Sequence, residues 1–285
     1  MKTLEAMYRE AKARFAEAEL DTPDLDARLI IAHCASLTSA DFISRGDQIL
    51  NEALVHTINN AMTRRMLGEP VSRILGYREF WGLPFRLTPD TLDPRPETEL
   101  LVDLGIKHLS GKSNARFLDL GTGSGCISLS ILHDCPLAHA VAVDKSEGAV
   151  MAARDNASML GLSDRCDIRQ GHWFDGIRAD EKFDLIVSNP PYIRESDIPN
   201  LSKEVRNHDP ILALSGGKEG LTAYQSLFPH LQKHLLPGGR VYLEIGFHQA
   251  QDVVRLAGDS HATLIREHLD LAGVSRVIEI SYGEN

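Results

Sequence analysis

Asn189-Pro190-Pro191-Tyr192 closes an apolar run, Phe183–Ser188, that reads as a buried strand. Two consecutive prolines end ladder pairing, because neither can donate, and they stiffen the exit. A rigid strand exit explains the prolines but leaves Asn189 and Tyr192 unexplained. A chemical reading accounts for more. A planar nitrogen conjugated to a carbonyl or a heterocycle is a weak nucleophile, since its lone pair is delocalised. If the Asn189 carboxamide oxygen and the Pro190 carbonyl accept the two N–H bonds of such an –NH2 group, they fix its orientation. They also favour the positive charge that develops as the nitrogen attacks a methyl group. Tyr192 would stack on the plane of the acceptor. No strong general base is needed, because the methylated nitrogen sheds a proton readily.

A second constellation names the methyl donor. Asp119-Leu120-Gly121-Thr122-Gly123-Ser124-Gly125-Cys126 follows an extended run, Arg116–Leu120, and opens a helical one over 127–132. Glycines placed there let a ligand approach the backbone at a helix N-terminus. The dinucleotide spacing G-x-G-x-x-G wants its third glycine at Cys126; here the spacing is G-x-G-x-G. Asp119 lies two residues before the first glycine, near where a pyrophosphate would sit. Two like charges ~4 Å apart repel by roughly 1 kcal/mol in water and about 4 kcal/mol at an effective dielectric near 20. Such a site suits a cationic amino group instead. Asp144 closes the next strand, where a carboxylate accepts from ribose hydroxyls. A ribose, a positive group and no phosphate describe S-adenosylmethionine, and the arrangement resembles a class I methyltransferase. The alternative is that Asp119 and Asp144 merely cap loops.

The elements that must position these residues alternate. Extended runs fall at Arg116–Leu120, 140–143, 167–169, Phe183–Ser188, 240–245 and 276–280, with helical stretches between most of them, such as 148–160 and 221–235. Strands alternating with helices argue a parallel sheet covered on both faces, an α/β fold. The first ~85 residues differ. Thr22-Pro23-Asp24 reads as a helix start, with Leu25, Leu29 and Ala32 following on one face, and Leu54, Ile58 and Met62 form a second stripe. No strand-period segment shows there, so a small helical bundle is expected. From about residue 70 a junction follows, with short extended pieces around 74–75 and 85–87. Arg64, Arg65, Arg73 and Arg78 gather near it, as solvated surface or as a contact face for a partner.

The 285 residues carry 30 Lys and Arg against 40 Asp and Glu, a net charge of −10, which disfavours affinity built on a broad phosphate-neutralising surface. Residues 1–85 hold 10 basic and 12 acidic side chains, so most of the acidity lies beyond them. No apolar run approaches the ~18 to 20 residues of a membrane span, and the N-terminal stretch reads as an amphipathic helix and not a signal peptide. Cys34, Cys126, Cys135 and Cys166 show no matched spacing. A reducing compartment fits them better than a disulfide framework, and the expected location is cytoplasmic. His230 and His234 share a helix face, but no catalytic Glu or third ligand accompanies them; a surface pair and no metal is the expectation. Pro96, Glu97 and Glu99 read mainly as a helix start.

Asn-Pro-Pro-Tyr resembles the motif of amino-group methyltransferases, which act on adenine in DNA, guanine in RNA or glutamine in proteins. A wider resemblance selects among these. Asp93-Pro94-Arg95-Pro96-Glu97-Thr98-Glu99 looks like the segment preceding the methyltransferase domain in the PrmC/HemK family, the glutamine methyltransferases of peptide chain release factors. Gly68-Glu69-Pro70 and Ile74-Leu75-Gly76 match upstream. Downstream, Glu204-Val205, Asp209-Pro210, Ala213-Leu214-Ser215-Gly216-Gly217, Gly220-Leu221 and Leu243-Glu244-Ile245-Gly246 match as well. The resemblance covers most of the chain. It implies a Rossmann-like class I methyltransferase domain with a mostly parallel seven-stranded sheet over residues 86–285. It also implies a helical-bundle substrate-recognition domain over 1–85, and methylation of the glutamine in the Gly-Gly-Gln loop of class I release factors. Cofactor residues carry over to Gly121 through Gly125, Asp144, Trp173 and Asn189, and substrate residues to Asn189, Pro190, Pro191 and Tyr192. Two positions depart from the family pattern. His172 precedes Trp173 where an acidic residue is common, and Asp93 stands where an aliphatic one is. The rival readings are a ribosomal-protein glutamine methyltransferase, a DNA adenine methyltransferase, disfavoured by charge and by the lack of a visible target-recognition domain, and a cofactor-binding adaptor. No direct nucleic-acid or membrane partner is expected.

Overall fold

A computed structural model describes residues 2–283, apart from the side chains of Ser39 and Ile43. Two compact units result. The first runs to Tyr77 and includes Ser202–His208; the second takes Arg78–Leu201 and the chain from Asp209 onward.

In the first unit, apolar residues three and four apart bring α1 (Leu4–Glu17), α2 (Pro23–Ala35) and α4 (Glu52–Met66) around one core, joined by α3 (Ser39–Ser44) and α5 (Val71–Leu75). Met7, Ala11, Phe15, Ala27, Ile30, Ile31, Ile58 and Met62 are buried together. The Leu54–Ile58–Met62 stripe faces inward as its spacing suggests. The stripe read on α2 does not: Leu25 and Leu29 are 51% and 40% exposed, while Ala27, Ile30 and Ile31 turn in. The cause is Asp26. Its carboxylate accepts from Arg65 Nε at 2.6 Å inside the unit, with side chains 5% and 6% exposed, and this pair sets which face of α2 points to α4. Arg65 Nη1 also reaches Glu204 Oε1 at 2.5 Å and the Glu69 carbonyl at 3.2 Å, so it is no solvated surface residue. Residues 74–75, expected extended, lie in α5, which starts at Pro70 and stops at Gly76 in a left-handed conformation (φ 78°). Two short strands, β1 (Lys2–Thr3) and β2 (Ile49–Leu50), pair antiparallel; two residues are too few to show a period.

The hairpin β3 (Tyr77–Phe80) and β4 (Leu83–Arg86), which lies in the second unit from Arg78 on, is followed by a 3₁₀ turn, Pro96–Thr98, running into α6 (Glu99–Leu109). The sheet is built from β5 (Arg116–Leu120), β6 (His139–Asp144), β7 (Cys166–Gln170), β8 (Phe183–Ser188), β9 (Leu235–Glu244), β10 (Leu264–Leu269) and β11 (Ser275–Ser281), in the order β10-β11-β9-β8-β5-β6-β7. The five strands from β9 to β7 run parallel; β11 pairs antiparallel with β9, and β10 antiparallel with β11, so β11 alone is reversed. Strand alternation sends Phe117, Ala140, Ala142, Leu185 and Val187 to the face covered by α6, α7 (Cys126–Asp134) and α8 (Glu147–Met159). Leu118, Val141, Val143, Ile186 and Leu243 go to the opposite face, under α11 (Thr222–Leu231) and α12 (Ala250–Asp259). The chain between β8 and α11 carries α9 (Lys203–His208) and α10 (Ile211–Leu214). β10 escapes the sequence pattern because Arg266 and Glu267 sit exposed at its centre on the sheet edge. The histidine pair is also reassigned. His234 is 1% exposed, its Nδ1 lies 2.8 Å from the Glu181 carbonyl, and its ring stacks on Phe174 at 5.1 Å. Among the described residues, no group of three His, Cys, Asp or Glu side chains could hold a metal ion, and no helix is long and apolar enough to cross a membrane.

Removing one partner of a buried ion pair strands the other charge. Arg65→Ala is therefore expected to lower the stability of the first unit by about 3–5 kcal/mol, read as an earlier first transition in urea unfolding of the full chain. Replacing Arg65 and Asp26 together by Leu should cost clearly less.

Candidate functional site

At the carboxyl ends of β5, β6 and β8 the loops enclose a cavity of about 380 Å³. This is the place where parallel α/β sheets bind ligands, and the size suits a small-molecule site. The glycine-rich loop is tied to β6, since the N–H groups of Gly121 and Thr122 both donate to the Val143 carbonyl at 2.8 and 3.0 Å. Gly125 starts α7 with φ 81°, which a side chain would strain. Gly123 N–H donates to Asp144 Oδ2 at 2.8 Å, and Ser146 N–H to Oδ1 at 2.9 Å. Each carboxylate oxygen has two lone pairs, so Asp144 keeps acceptor capacity toward the cavity that it lines. Burial pushes its pKa up, against the backbone N–H groups that favour its charge.

Gly121, Thr122, Gly123, Ser124, Asp144, Trp173, Asn189 and Pro191 all line this cavity. Asp119 does not. It shares the strand face of Phe117, which buries it beneath the start of α7. There Oδ2 accepts from the Thr122 hydroxyl at 2.6 Å and Oδ1 has no hydrogen-bond partner. Desolvation pushes its pKa up to about 6. It braces the glycine loop from beneath instead of facing the cavity. Gly125 likewise stands behind the wall. Trp173 takes a positive φ of 52° and lays its ring over Gly121, where an added Cβ would sit 3.4 Å from the indole. His172, in the position where the family commonly has an acid, is on the wall with its ring 5.6 Å from that of Trp173.

Of the Asn-Pro-Pro-Tyr residues, Pro190 is buried off the wall, and Tyr192 is turned away from the cavity. The Tyr192 hydroxyl lies 3.3 Å from Glu244 Oε1, its ring packs with the core beside α11, and its carbonyl accepts from Gln249 Nε2 at 3.0 Å. Stacking of this ring on an acceptor is therefore not what the structure presents. Tyr192 is a buttress. Asn189 Nδ2 donates to Thr98 Oγ1 at 3.1 Å. Ser215-Gly216-Gly217 is more than a turn: Gly216 N–H donates to the Ile193 carbonyl at 2.8 Å, and a Cβ at Gly216 would lie 2.8 Å from the Pro191 oxygen and the Tyr192 Cα. Arg95, also on the wall, pairs with buried Asp209 at 2.6 Å, whose other oxygen accepts from the Asp93 N–H at 3.3 Å. Sequence reasoning assigned no role to Thr98, Glu244 or Gln249. An acid ending an otherwise apolar strand was the available signal for Glu244.

The comparisons fall in line with this geometry. A family model described as the PrmC N-terminal domain matches residues 6–76, and one described as the methyltransferase small domain matches 96–208. A release factor glutamine methyltransferase of Bradyrhizobium diazoefficiens is 42% identical over 97% of this chain and 94% of its own length. The chain belongs to the release factor glutamine methyltransferase family. Another member, from Caulobacter vibrioides, is 40% identical over 97% of this chain and 95% of its own. A solved methyltransferase from Pyrococcus furiosus shares the fold, with a TM-score of 0.52 at 17% identity over 79% of this chain and all of that one. As in other methyltransferases of this family, the donor is S-adenosylmethionine.

Asp144→Ala removes an acceptor whose hydrogen bonds to ligand hydroxyls are charge-assisted, worth about 1.5–3 kcal/mol. Calorimetry with S-adenosylmethionine or its demethylated product is expected to show binding weakened on the order of 10- to 100-fold, with the fold intact by circular dichroism.

Proposed function

We propose that this protein transfers a methyl group from S-adenosylmethionine to the side-chain amide nitrogen of the glutamine in the Gly-Gly-Gln loop of class I peptide chain release factors, in the cytoplasm. The observation that carries the reading is Asn189. Its carboxamide stands on the wall of the cavity that Asp144 and the glycine loop define, with Nδ2 bound to Thr98 and Oδ1 left as an acceptor.

The residues suit the donor. Gly121 through Ser124, Asp144 and Trp173 would hold it: Gly123 leaves open space where a side chain would begin, Asp144 has lone pairs free for ribose hydroxyls, and Asp119 keeps an unpartnered buried oxygen beneath the loop. When bound, S-adenosylmethionine supplies an electrophilic methyl group. The chain's own residues then have two tasks. Asn189 Oδ1 accepts an N–H of the glutamine amide and holds its nitrogen in line. The same oxygen dipole grows more favourable as that nitrogen gains positive charge, which is stabilisation specific to the transition state. Pro191 adds a rigid surface to the wall, and the Pro190 carbonyl remains the proposed second acceptor. The helical first unit would hold the protein substrate, with residues 1–85 and 86–285 acting as recognition and catalytic parts. The acidity concentrated beyond residue 85 is a modest vote for a protein acceptor over DNA.

Incubation with labelled S-adenosylmethionine, a release factor, a ribosomal protein and DNA, followed by mass spectrometry of the acceptor, tests the assignment. Label in the Gly-Gly-Gln peptide is expected, and label confined to DNA or to the ribosomal protein would overturn it. Asn189→Ala should lower kcat by about 10²–10³-fold while donor binding and folding persist; near-normal turnover would contradict its role.

A further inference from the structure

We infer that Arg95 binds the carboxylate at the amino-acid end of the methyl donor. The inference rests on Asn189 marking where the methyl group is transferred, and not on the identity of the acceptor.

S-Adenosylmethionine carries, in covalent order, an adenosyl group, a sulfonium bearing the methyl, and an amino-acid end with an ammonium and a carboxylate. A ligand anchored by its ribose at Asp144, with its methyl at Asn189, sends that end beyond Asn189. The wall is a poor host for a carboxylate. Among the described residues, three acids line it, Asp90, Asp144 and Glu195, against two basic side chains of Lys or Arg type, Arg95 and Lys145. A carboxylate left unpaired there loses hydration and meets like charge. Lys145 directly follows Asp144 and so belongs to the ribose end. Arg95 belongs to the other end. Three residues further on, Thr98 also lines the wall and accepts from Asn189 Nδ2 at 3.1 Å.

The side chain is held ready for a ligand. Asp209 Oδ2 accepts from Arg95 Nη2 at 2.6 Å, and Asp209 Oδ1 accepts from the Asp93 N–H at 3.3 Å. The Asp209 side chain is 3% exposed and off the wall, whereas that of Arg95 is 35% exposed and on it. A guanidinium presents five N–H groups in a planar fork with two edges that each fit a carboxylate. Asp209 engages it through Nη2 alone, so one edge stays whole for a second, bidentate partner. Sharing Arg95 with Asp209 weakens its pull on a ligand. It also fixes a long side chain before the ligand arrives, so less rotamer freedom is lost on binding. Bracing the chain before α10 requires only the pair itself. The exposed part of Arg95 on the wall is what that role leaves unexplained.

Calorimetry on the full-length protein compares three ligands: S-adenosylhomocysteine, its decarboxylated analogue, which keeps the amine, and 5′-methylthioadenosine, which lacks the whole amino-acid end. In the wild type, loss of the carboxylate should weaken binding on the order of 10- to 100-fold. Removing Arg95 alone would strand the buried Asp209, so the test variant carries Arg95→Gln together with Asp209→Asn. It should weaken S-adenosylhomocysteine by that same factor and bind the other two ligands as the wild type does, which also shows that its cavity is folded. Arg95→Lys keeps the charge without the fork and should fall between. A wild type that binds the decarboxylated analogue as tightly as S-adenosylhomocysteine would overturn the inference without any variant. A double variant that weakens all three ligands alike, or that keeps the wild-type ratio between the first two, would overturn it as well. No acceptor enters these measurements, so an enzyme that methylates something other than Gly-Gly-Gln would sink the functional assignment and leave this test standing.

Discussion

A strand in the middle of a sheet, flanked by β5 and β9, ends in two residues that have no N–H to give. Beyond Ser188 the ladder cannot continue, and the polar groups of Asn189 through Tyr192 must find partners in neighbouring loops. The surrounding structure supplies them. Ser188 Oγ donates to the Leu120 carbonyl at 2.6 Å, joining the strand end to the start of the glycine loop. Thr98 takes Asn189, Gln249 takes the Tyr192 carbonyl, and the segment around Gly216 pairs with Ile193. Segments distant in sequence converge on four residues because those residues cannot satisfy themselves. The cavity is the space left between these partners and the glycine loop.

Electrostatics on the two sides of β8 follow one pattern. Asp119 near the end of β5 and Glu244 at the end of β9 are both buried, each with one oxygen lacking a hydrogen-bond partner. Desolvation raises both, to about 6 and about 7. Neither lines the cavity: Asp119 braces the glycine loop through the Thr122 hydroxyl, and Glu244 braces the segment after β8 through the Tyr192 hydroxyl. A buried carboxylate is a costly acceptor unless something must be held in one orientation. Here the glycine loop and the Tyr192 ring are each held that way.

Much of the fold was legible because the parallel strands are continuous apolar runs and the loops after them carry glycine, proline and acid at telling places. Gly121 to Ser124, Asp144 and Asn189 line one cavity, together with Trp173 and Pro191, which the family resemblance had brought in. What escaped did so for physical reasons. Tyr192 looked like a stacking ring because sequence shows that an aromatic is present and not which buried acid claims its hydroxyl. Asp119 looked like a direct ligand, whereas strand alternation sends it under α7. Leu25 and Leu29 looked like core, but a buried pair between Asp26 and Arg65, thirty-nine residues apart, turns the helix. Thr98 drew no reading of its own, since its partner Asn189 is ninety-one residues away. Long-range polar pairing is the information that local periodicity does not contain.

The central claim is that Asn189, held by Thr98 through its –NH2 end, presents its carboxamide oxygen to an amide nitrogen. A neutron or sub-ångström structure of the protein with S-adenosylhomocysteine and a Gly-Gly-Gln peptide tests it most directly. The account predicts the glutamine –NH2 donating to Asn189 Oδ1 and the Asn189 –NH2 donating to Thr98 Oγ1. An Asn189 amide of inverted orientation, or a glutamine nitrogen bound elsewhere in the cavity, would contradict it.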